Sequence, residues 1–194
     1  DGWFDIETGL VGRHNLMNSL ACIAAARQLG IPDTKVQKAL ATFTGVKRRQ
    51  EIRGVRRGIT VMDDFAHHPS AVRETLAAVK PFYKNGRVIA VFEPRTNTSM
   101  RHFFQATYPE AFMAADKTII CNPCVKKEIP EDQRFLPGQL VADINKKGGD
   151  ACHFETPDRV LDYLVPQLKE NDLVLIMSNG GFDNIHARLL ARLE

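Results

Sequence analysis

Val88-Ile89-Ala90-Val91-Phe92 is a run of five apolar residues that no polar residue interrupts. Such a run is typical of a strand buried on both faces, as in a parallel sheet that helices cover on both sides. Leu173-Val174-Leu175-Ile176-Met177 is a second run of this kind. Before the first run the apolar residues recur at helical spacing, for example Val72, Leu76 and Val79. Strands that alternate with helices predict an α/β fold with a doubly wound, mostly parallel, Rossmann-like sheet.

The same alternation extends along the chain from residue 51. We predict further strands at 51–55, 59–62, 118–121 and 152–154, and helices at about 70–83, 100–114, 138–147, 157–168 and 182–193. Residues 122–137 contain three prolines, which favour a loop.

Residues 1–50 have a different pattern. A helix begins near Gly12 and ends at Leu29-Gly30, and Pro32-Asp33-Thr34 begins a second one. Met17, Leu20, Ala21, Ala24 and Ala25 recur at helical spacing on the first helix, and Cys22 beside them is expected in the core. A short helical hairpin is therefore predicted before the sheet, with a boundary between 1–50 and 51–194.

The composition is that of an ordinary globular protein. The chain has 194 residues, 44% of them hydrophobic, and a formal net charge of +3, which is too small to indicate nucleic-acid binding. No apolar run has the length of a membrane span, and the first residues do not resemble a signal peptide. Cys121 and Cys124 form one C-x-x-C pair without a second, so reduced thiols in a cytoplasmic protein are expected rather than a zinc site.

Ligands of doubly wound sheets bind beyond the carboxyl ends of the strands, and four polar groups stand at strand ends or helix starts. The first is Gly12-Arg13-His14-Asn15-Leu16-Met17-Asn18. An amide such as that of Asn15 can both donate to and accept from an adenine edge. The alternative is that His14 or Asn15 caps the helix.

The second group, Asp63-Asp64-Phe65-Ala66-His67-His68-Pro69, follows the strand 59–62. A carboxylate at this position can accept hydrogen bonds from ribose hydroxyls. Asp and His are also metal ligands, and an aspartate can cap the next helix instead. Four polar groups within six residues favour a functional role.

The third and fourth groups follow the two apolar runs. Glu93-Pro94-Arg95-Thr96-Asn97-Thr98 contains an arginine that can hold a carboxylate or phosphate, or form a surface salt bridge with Glu93. Ser178-Asn179-Gly180-Gly181-Phe182 leads into a helix and offers backbone N–H groups to an anion, unless its glycines serve only a tight turn. Neither G-x-x-x-x-G-K-[ST] nor G-x-G-x-x-G occurs, so the sequence lacks a complete phosphate-binding loop.

In this order the motifs resemble those of the bacterial Mur ligases, which join amino acids or peptides to UDP-N-acetylmuramic acid derivatives with ATP and Mg²⁺. Gly12 to Asn18 is similar to the family's G-x-H-N-x-x-N helix at the end of its central ATP-binding domain. Gly45-Val46-Lys47-Arg48-Arg49-Gln50-Glu51 resembles G-x-x-x-R-x-E, and Asp64 to Pro69 resembles the D-Y-A-H-x-P motif that opens the C-terminal domain. The resemblance covers nearly the whole chain.

Within the family, the motifs are most similar to those of the ligases that attach the recycled tripeptide L-Ala-γ-D-Glu-meso-diaminopimelate to UDP-N-acetylmuramate. The L-alanine-adding ligases are the alternative; they share the double His but typically have Tyr-Gly where Phe65-Ala66 stand. A stand-alone nucleotide-binding module is a third possibility, from another class. The loop Asp-Asn-Pro-Arg of the diaminopimelate-adding ligase has no full counterpart, because Cys121-Asn122-Pro123-Cys124 lacks the arginine.

The resemblance also implies roles for individual residues. His14, Asn15, Arg49 and Asp64 would bind ATP, and the peptide substrate would meet His67, His68, Arg95 and the turn Ser178, Asn179, Gly180, Gly181 and Phe182. The phosphate loop, the Mg²⁺ ligands and the UDP-binding domain would lie upstream of residue 1. The expected partners are therefore the protein's own N-terminal and central domains and the two substrates, with no nucleic acid and no membrane, and no ligase activity is expected of this chain alone.

Overall fold

The computed structural model describes residues 5–123 and 129–194 and divides the chain into two compact units, 1–46 and 47–194. Trp3 and Phe4 lie outside the described residues, and so does Cys124 of the cysteine pair. No helix of the described residues combines the length and apolar character needed to cross a bilayer.

The first unit contains the helical hairpin. Helix α1 spans Arg13–Gln28 and α2 spans Asp33–Thr42. Among the described residues of this unit only Ser19 and Val36 are buried. The prediction of a core position for Cys22 is wrong, because its side chain is exposed. Two helices in so short a unit cannot enclose each other's apolar faces, so a helical period here does not mark a core.

The second unit is built on six strands. They are β1 (Glu51–Arg56), β2 (Ile59–Asp64), β3 (Val88–Glu93), β4 (Lys117–Cys121), β5 (Ala151–Phe154) and β6 (Leu173–Ser178). Their order in the sheet is β1-β2-β6-β3-β4-β5. The strand β1 pairs antiparallel with β2, and every other neighbouring pair is parallel. The predicted mostly parallel sheet is confirmed.

Helices cover both faces of the sheet. They are α3 (Pro69–Val79), α4 (Tyr108–Ala111), α5 (Pro137–Lys146), α6 (Pro157–Leu164) and α7 (Ile185–Arg192). Apolar residues of α3, α4 and α5 form one core cluster with one face of the sheet. Residues of α6 and α7 form a second cluster with the other face. The two predicted apolar runs, β3 and β6, contribute alternate residues to both clusters, which explains why they contain no polar position.

Proline decides where several predicted helices end or fail. Of the predicted helix 100–114, the structure retains a 3₁₀ turn at His102–Phe104 and the single turn of α4. Pro109 lies in the first turn of α4, where its missing N–H is tolerated, but a helix cannot extend back through it. Prolines also lie in the 3₁₀ turns Lys80–Phe82 and Val165–Gln167 that end α3 and α6 before the predicted limits.

Candidate functional site

Three of the four polar groups meet at one edge of the sheet. Strands β2, β6 and β3 are adjacent and parallel, so their carboxyl ends lie side by side. Asp64 pairs with Met177, and Glu93 pairs with Ser178. Helix α4 after β3 and helix α7 after β6 pack on opposite faces of the sheet, and doubly wound sheets bind their ligands in a crevice beyond two strand ends of this kind. We call this place the switch-point crevice.

The fourth polar group lies in the first unit, at the start of α1. Gly12 occupies the N-cap, and no side chain caps the helix. Asn15 instead donates its Nδ2 to the carbonyl of Val11 at 2.7 Å. The capping alternative for His14 and Asn15 is therefore wrong, and their assignment to adenine stays a prediction.

Asp64 is buried and already holds several protein groups. Its Oδ2 accepts the N–H of Gln50 at 2.9 Å, and its Oδ1 accepts the N–H of Ala66 at 2.8 Å and the hydroxyl of Thr75 at 3.4 Å. Burial raises the pKa of this carboxyl, although these bonds and Arg49 act in the opposite direction. A ribose hydroxyl would have to share oxygens that already accept bonds.

The two adjacent histidines have structural partners. His68 is the N-cap of α3, and its Nδ1 accepts the N–H of Ser70 at 3.3 Å, so neither Asp63 nor Asp64 caps that helix. The Nδ1 of His67 lies 2.9 Å from the carbonyl of Phe65. The metal alternative gains no support, because no group of three His, Cys, Asp or Glu side chains among the described residues could hold an ion.

The turn after β6, residues 178–181, is bonded to the end of β3. Ser178 donates its hydroxyl to Oε2 of Glu93 at 2.7 Å and accepts the N–H of Gly180 at 3.0 Å. Both Ser178 and Glu93 are buried. The Oδ1 of Asn179 is buried without a hydrogen-bond partner among the described residues, which leaves an acceptor available in this turn.

Arg95 lies directly on this turn. A Cβ atom built on Gly180 would come within 2.1 Å of Cδ and 2.4 Å of Nε of Arg95. The guanidinium is half-exposed and lies 3.4 Å from Oε1 of Glu93, so the salt-bridge alternative is present in the structure. Glu93 is buried and also accepts the hydroxyl of Ser178, whereas about half of the arginine side chain faces solvent and can meet an anion in the crevice.

Phe182 differs from the rest of its predicted group. Its side chain is fully buried in the second core cluster, so a ligand could reach only its backbone. Phe182, Asp183 and Asn184 have φ angles of 44°, 50° and 52°, three consecutive left-handed residues other than glycine. The buried ring ties this strained turn to the core before α7 begins.

Two neighbouring arginines take different roles. Arg49 lies over the ring of Phe65, 5.4 Å from its centre, and among the described residues it has no carboxylate at ion-pair distance. Arg48 donates Nη2 to the carbonyls of Ser178 at 2.6 Å and Gly180 at 2.8 Å. Sequence reasoning missed Arg48, since adjacent arginines give no signal of which one the turn after β6 will meet.

Sequence reasoning also missed what surrounds Asp63. Its carboxylate contacts Arg48 at 3.5 Å, Arg53 at 3.9 Å and, from α7, His186 at 3.3 Å. His186 stood within a predicted helix, and nothing in the sequence marked it as a partner of β2.

Comparison with known proteins agrees with this fold. Residues 48–180 match the family described as Mur ligase, glutamate ligase domain. The chain is 36% identical over 96% of its length to the UDP-N-acetylmuramate–L-alanyl-γ-D-glutamyl-meso-2,6-diaminoheptandioate ligase of Escherichia coli. It is 34% identical over 95% of its length to the UDP-N-acetylmuramate–L-alanine ligase of Caldanaerobacter subterraneus. The chain spans 39% of the length of each of these two relatives.

A solved structure is similar over the same extent. The murein peptide ligase of Psychrobacter arcticus superposes with a TM-score of 0.72 at 33% identity, over 97% of this chain and 38% of that one. The family match, these identities and the six-stranded sheet lead to one conclusion: the chain belongs to the Mur ligase family.

Proposed function

We propose that this chain is the C-terminal portion of an ATP-dependent ligase that attaches the tripeptide L-Ala-γ-D-Glu-meso-diaminopimelate to UDP-N-acetylmuramate. The observation that carries the proposal is the switch-point crevice, where Asp64, Arg95 and the turn 178–181 meet. Residues 51–194 would be the C-terminal domain. Residues 1–50 would be the end of the central ATP-binding domain, and the exposed apolar residues of α1, Leu16, Met17 and Leu20, suit a helix that another part of that domain covers.

The proposed reaction has two steps. The carboxylate of UDP-N-acetylmuramate takes the γ-phosphoryl group of ATP and ADP leaves; the peptide amine then attacks the acyl phosphate, loses a proton and displaces phosphate. Charge on the transferring group is stabilised mainly by positioned cations and dipoles. From this chain, Arg49 is a cation that suits the phosphates, because its guanidinium lies over the ring of Phe65 and no carboxylate of the described residues forms an ion pair with it. The sequence contains no phosphate-binding loop, and no group of side chains among the described residues could hold Mg²⁺. The ligands of the metal would therefore come from elsewhere in the protein.

The peptide would occupy the crevice between β3 and β6. Arg95 suits a carboxylate of the incoming peptide, because its side chain is half-exposed, contacts Glu93 and packs on Gly180. The free amide oxygen of Asn179 suits an N–H group of the same substrate. His14 and Asn15 of the first unit would contact adenine.

The L-alanine-adding reaction is the second candidate, since a relative of that kind is 34% identical over nearly the same length. The test uses the full-length protein with UDP-N-acetylmuramate, ATP and Mg²⁺, and offers L-alanine and the tripeptide together. We expect the tripeptide product to exceed the alanine product by more than about tenfold, because a site that pairs polar substrate groups rejects substrates lacking them. A dominant alanine product would favour the second candidate, and the absence of both products would overturn the ligase function.

The 194-residue chain by itself should release no phosphate from ATP in the same mixture. The reason is that the sequence contains no phosphate-binding loop and the described residues offer no metal site. Measurable turnover by the purified chain would contradict the proposed division of roles.

A further inference from the structure

Asp63 is a buried carboxylate at the end of β2 to which the proposed reaction gives no role. Its side chain is 3% exposed. Burial raises the pKa of Asp63, but His186, Arg48 and Arg53 lower it by more, so the pKa lies below its usual value and the group is ionised at neutral pH. Its Oδ1 lies 3.3 Å from Nε2 of His186, and neither atom has a hydrogen-bond partner among the described residues.

Arg48 connects this carboxylate to the turn after β6. Its Nε lies 3.5 Å from Oδ2 of Asp63, while its Nη2 holds the carbonyls of Ser178 and Gly180. One nitrogen thus holds the carbonyls on both sides of Asn179, and the carboxylate fixes the other end of the guanidinium. The plane of the guanidinium allows both contacts at once, which a lysine ammonium on a flexible stem cannot reproduce.

The backbone of Arg48 is also fixed. Its φ of 58° is left-handed, its N–H donates to Oε2 of Glu51 at 2.8 Å, and its carbonyl accepts the N–H of Phe65 at 2.8 Å. A left-handed residue other than glycine persists where its surroundings hold it. Here those surroundings are β1 and the segment after β2, so the side chain of Arg48 extends from a rigid base.

The position of the turn determines the position of Arg95. Gly180 has no room for a Cβ because Arg95 occupies that space, so a shift of the turn would release or displace the guanidinium. Glu93 holds the turn through the hydroxyl of Ser178, whereas Arg48 holds it through the two carbonyls.

We propose that Asp63 and Arg48 are a positioning pair. The buried carboxylate orients the guanidinium, and the guanidinium holds the turn 178–181 in the position at which Arg95 meets the incoming substrate. This inference rests on the proposed function, since it is the peptide side of the crevice that the pair would organise. His186, at the start of α7, supports the second oxygen of the same carboxylate. The pair would act through Arg95 and the turn and would not itself touch the reacting atoms.

Arg53 supplies a matched control for Arg48. Both side chains are about one third exposed and both face Asp63, but among the described contacts only Arg48 reaches the turn. Arg48→Lys, Asp63→Asn and Arg53→Lys are therefore made in the full-length protein. Kinetics are measured with the tripeptide and with ATP as the varied substrate, and hydrogen exchange at 178–184 is followed by mass spectrometry without substrates.

We expect Arg48→Lys and Asp63→Asn to lower kcat/KM for the tripeptide by about 10- to 150-fold, the range for loss of a charged hydrogen bond. The loss should appear chiefly in KM for the tripeptide, while KM for ATP changes less than about threefold, since the pair orders only the peptide side. Exchange at 178–184 should rise in both variants. Arg53→Lys should match the wild type in both measurements.

The inference is overturned if Arg48→Lys behaves like Arg53→Lys, or if it raises KM for ATP and for the tripeptide alike. Should Asp63→Asn fail to fold, the two lysine variants still decide. If the wild-type protein makes no amide product, the proposed function fails, but exchange at 178–184 still reports on the pair. Unchanged exchange in Arg48→Lys would then refute the hold on the turn, and increased exchange would support it.

Discussion

Gly180→Ala places a methyl group where the side chain of Arg95 now lies. The new Cβ would be 2.1 Å from Cδ, 2.4 Å from Nε and 2.9 Å from Cζ. Carbon atoms prefer a separation of about 3.5–4.0 Å, so the guanidinium must retreat by about 1.5 Å. All three atoms belong to the outer part of a flexible, half-exposed side chain, so Arg95 can yield while the backbone stays in place.

The cost to stability should therefore be small and the cost to activity large. The displaced side chain loses its 3.4 Å contact with Glu93, a buried carboxylate that keeps the hydroxyl of Ser178 as a donor, so the cost should be about 1–2 kcal/mol. If Arg95 binds a carboxylate of the peptide, its displacement removes a charged hydrogen bond of about 1.5–3 kcal/mol. That energy corresponds to a fall of about 10- to 150-fold in kcat/KM.

The assay compares kcat/KM for the tripeptide with the free energy of unfolding in urea, both on the full-length protein. Gly181→Ala is the matched comparison, because a Cβ there meets nothing within 4 Å and the backbone N–H is kept. Its kcat/KM should fall less than that of Gly180→Ala, because the new methyl group displaces no side chain. Equal kcat/KM in the two variants would refute the placement of Arg95 at the peptide. A loss above about 2 kcal/mol in Gly180→Ala would show that the turn, not the side chain, had moved.

Three further predictions concern the second unit. Gly86→Ala should destabilise it by about 1–3 kcal/mol in urea, because the Cβ would lie 1.9 Å from the backbone carbonyl oxygen of Asn171 and no side chain can yield; an unchanged midpoint would contradict this. Burial raises the pKa of Asp172, but Arg87 and two backbone N–H groups lower it by more, so its pKa in the folded protein lies below the unfolded value of about 3.9. The ionised carboxylate therefore stabilises the fold above about pH 3.9, and this contribution is lost as the pH falls through the folded pKa. Asp172→Asn should thus flatten the loss of stability below about pH 4, and an unchanged pH profile would exclude this role. Burial raises the pKa of Cys121 to about 12, so a thiol reagent at pH 8 should label Cys121 only in denaturant, while the exposed Cys22 is labelled in the native protein. Labelling of Cys121 itself in the native protein would count against its buried position.

The fold was predictable because its signals are local. The runs 88–92 and 173–177 are apolar at every position, and that pattern is tied to burial on both faces of a sheet. The helix predictions were correct where the spacing of apolar residues and the residues that begin or end a helix agreed, as at α3 and α5. They were wrong at 100–114, where Pro109 allows a helix to begin but not to pass through.

The candidate site was predictable only in part. Composition at strand ends identified the groups at Asp64, Arg95 and Ser178, and the order β2-β6-β3 brings these three together. Composition did not distinguish the residues that contact the site from their immediate neighbours in the sequence. Asp63 and Asp64 are adjacent carboxylates with different partners. Arg48 and Arg49 both lie over the ring of Phe65, but only Arg48 also contacts Asp63 and the turn after β6.

By itself, therefore, the sequence determined the fold class, the family and the segments that border the crevice, because period, turn residues and ordered motifs are properties of short stretches. Only the tertiary structure decided which strand ends are neighbours and which atoms meet there. Arg48 and Gly180 are separated by 132 positions, and Asp63 and His186 by 123, yet each pair lies in contact. Contacts of this kind follow from the crossover that inserts β6 between β2 and β3, and no local pattern in the chain carries that information.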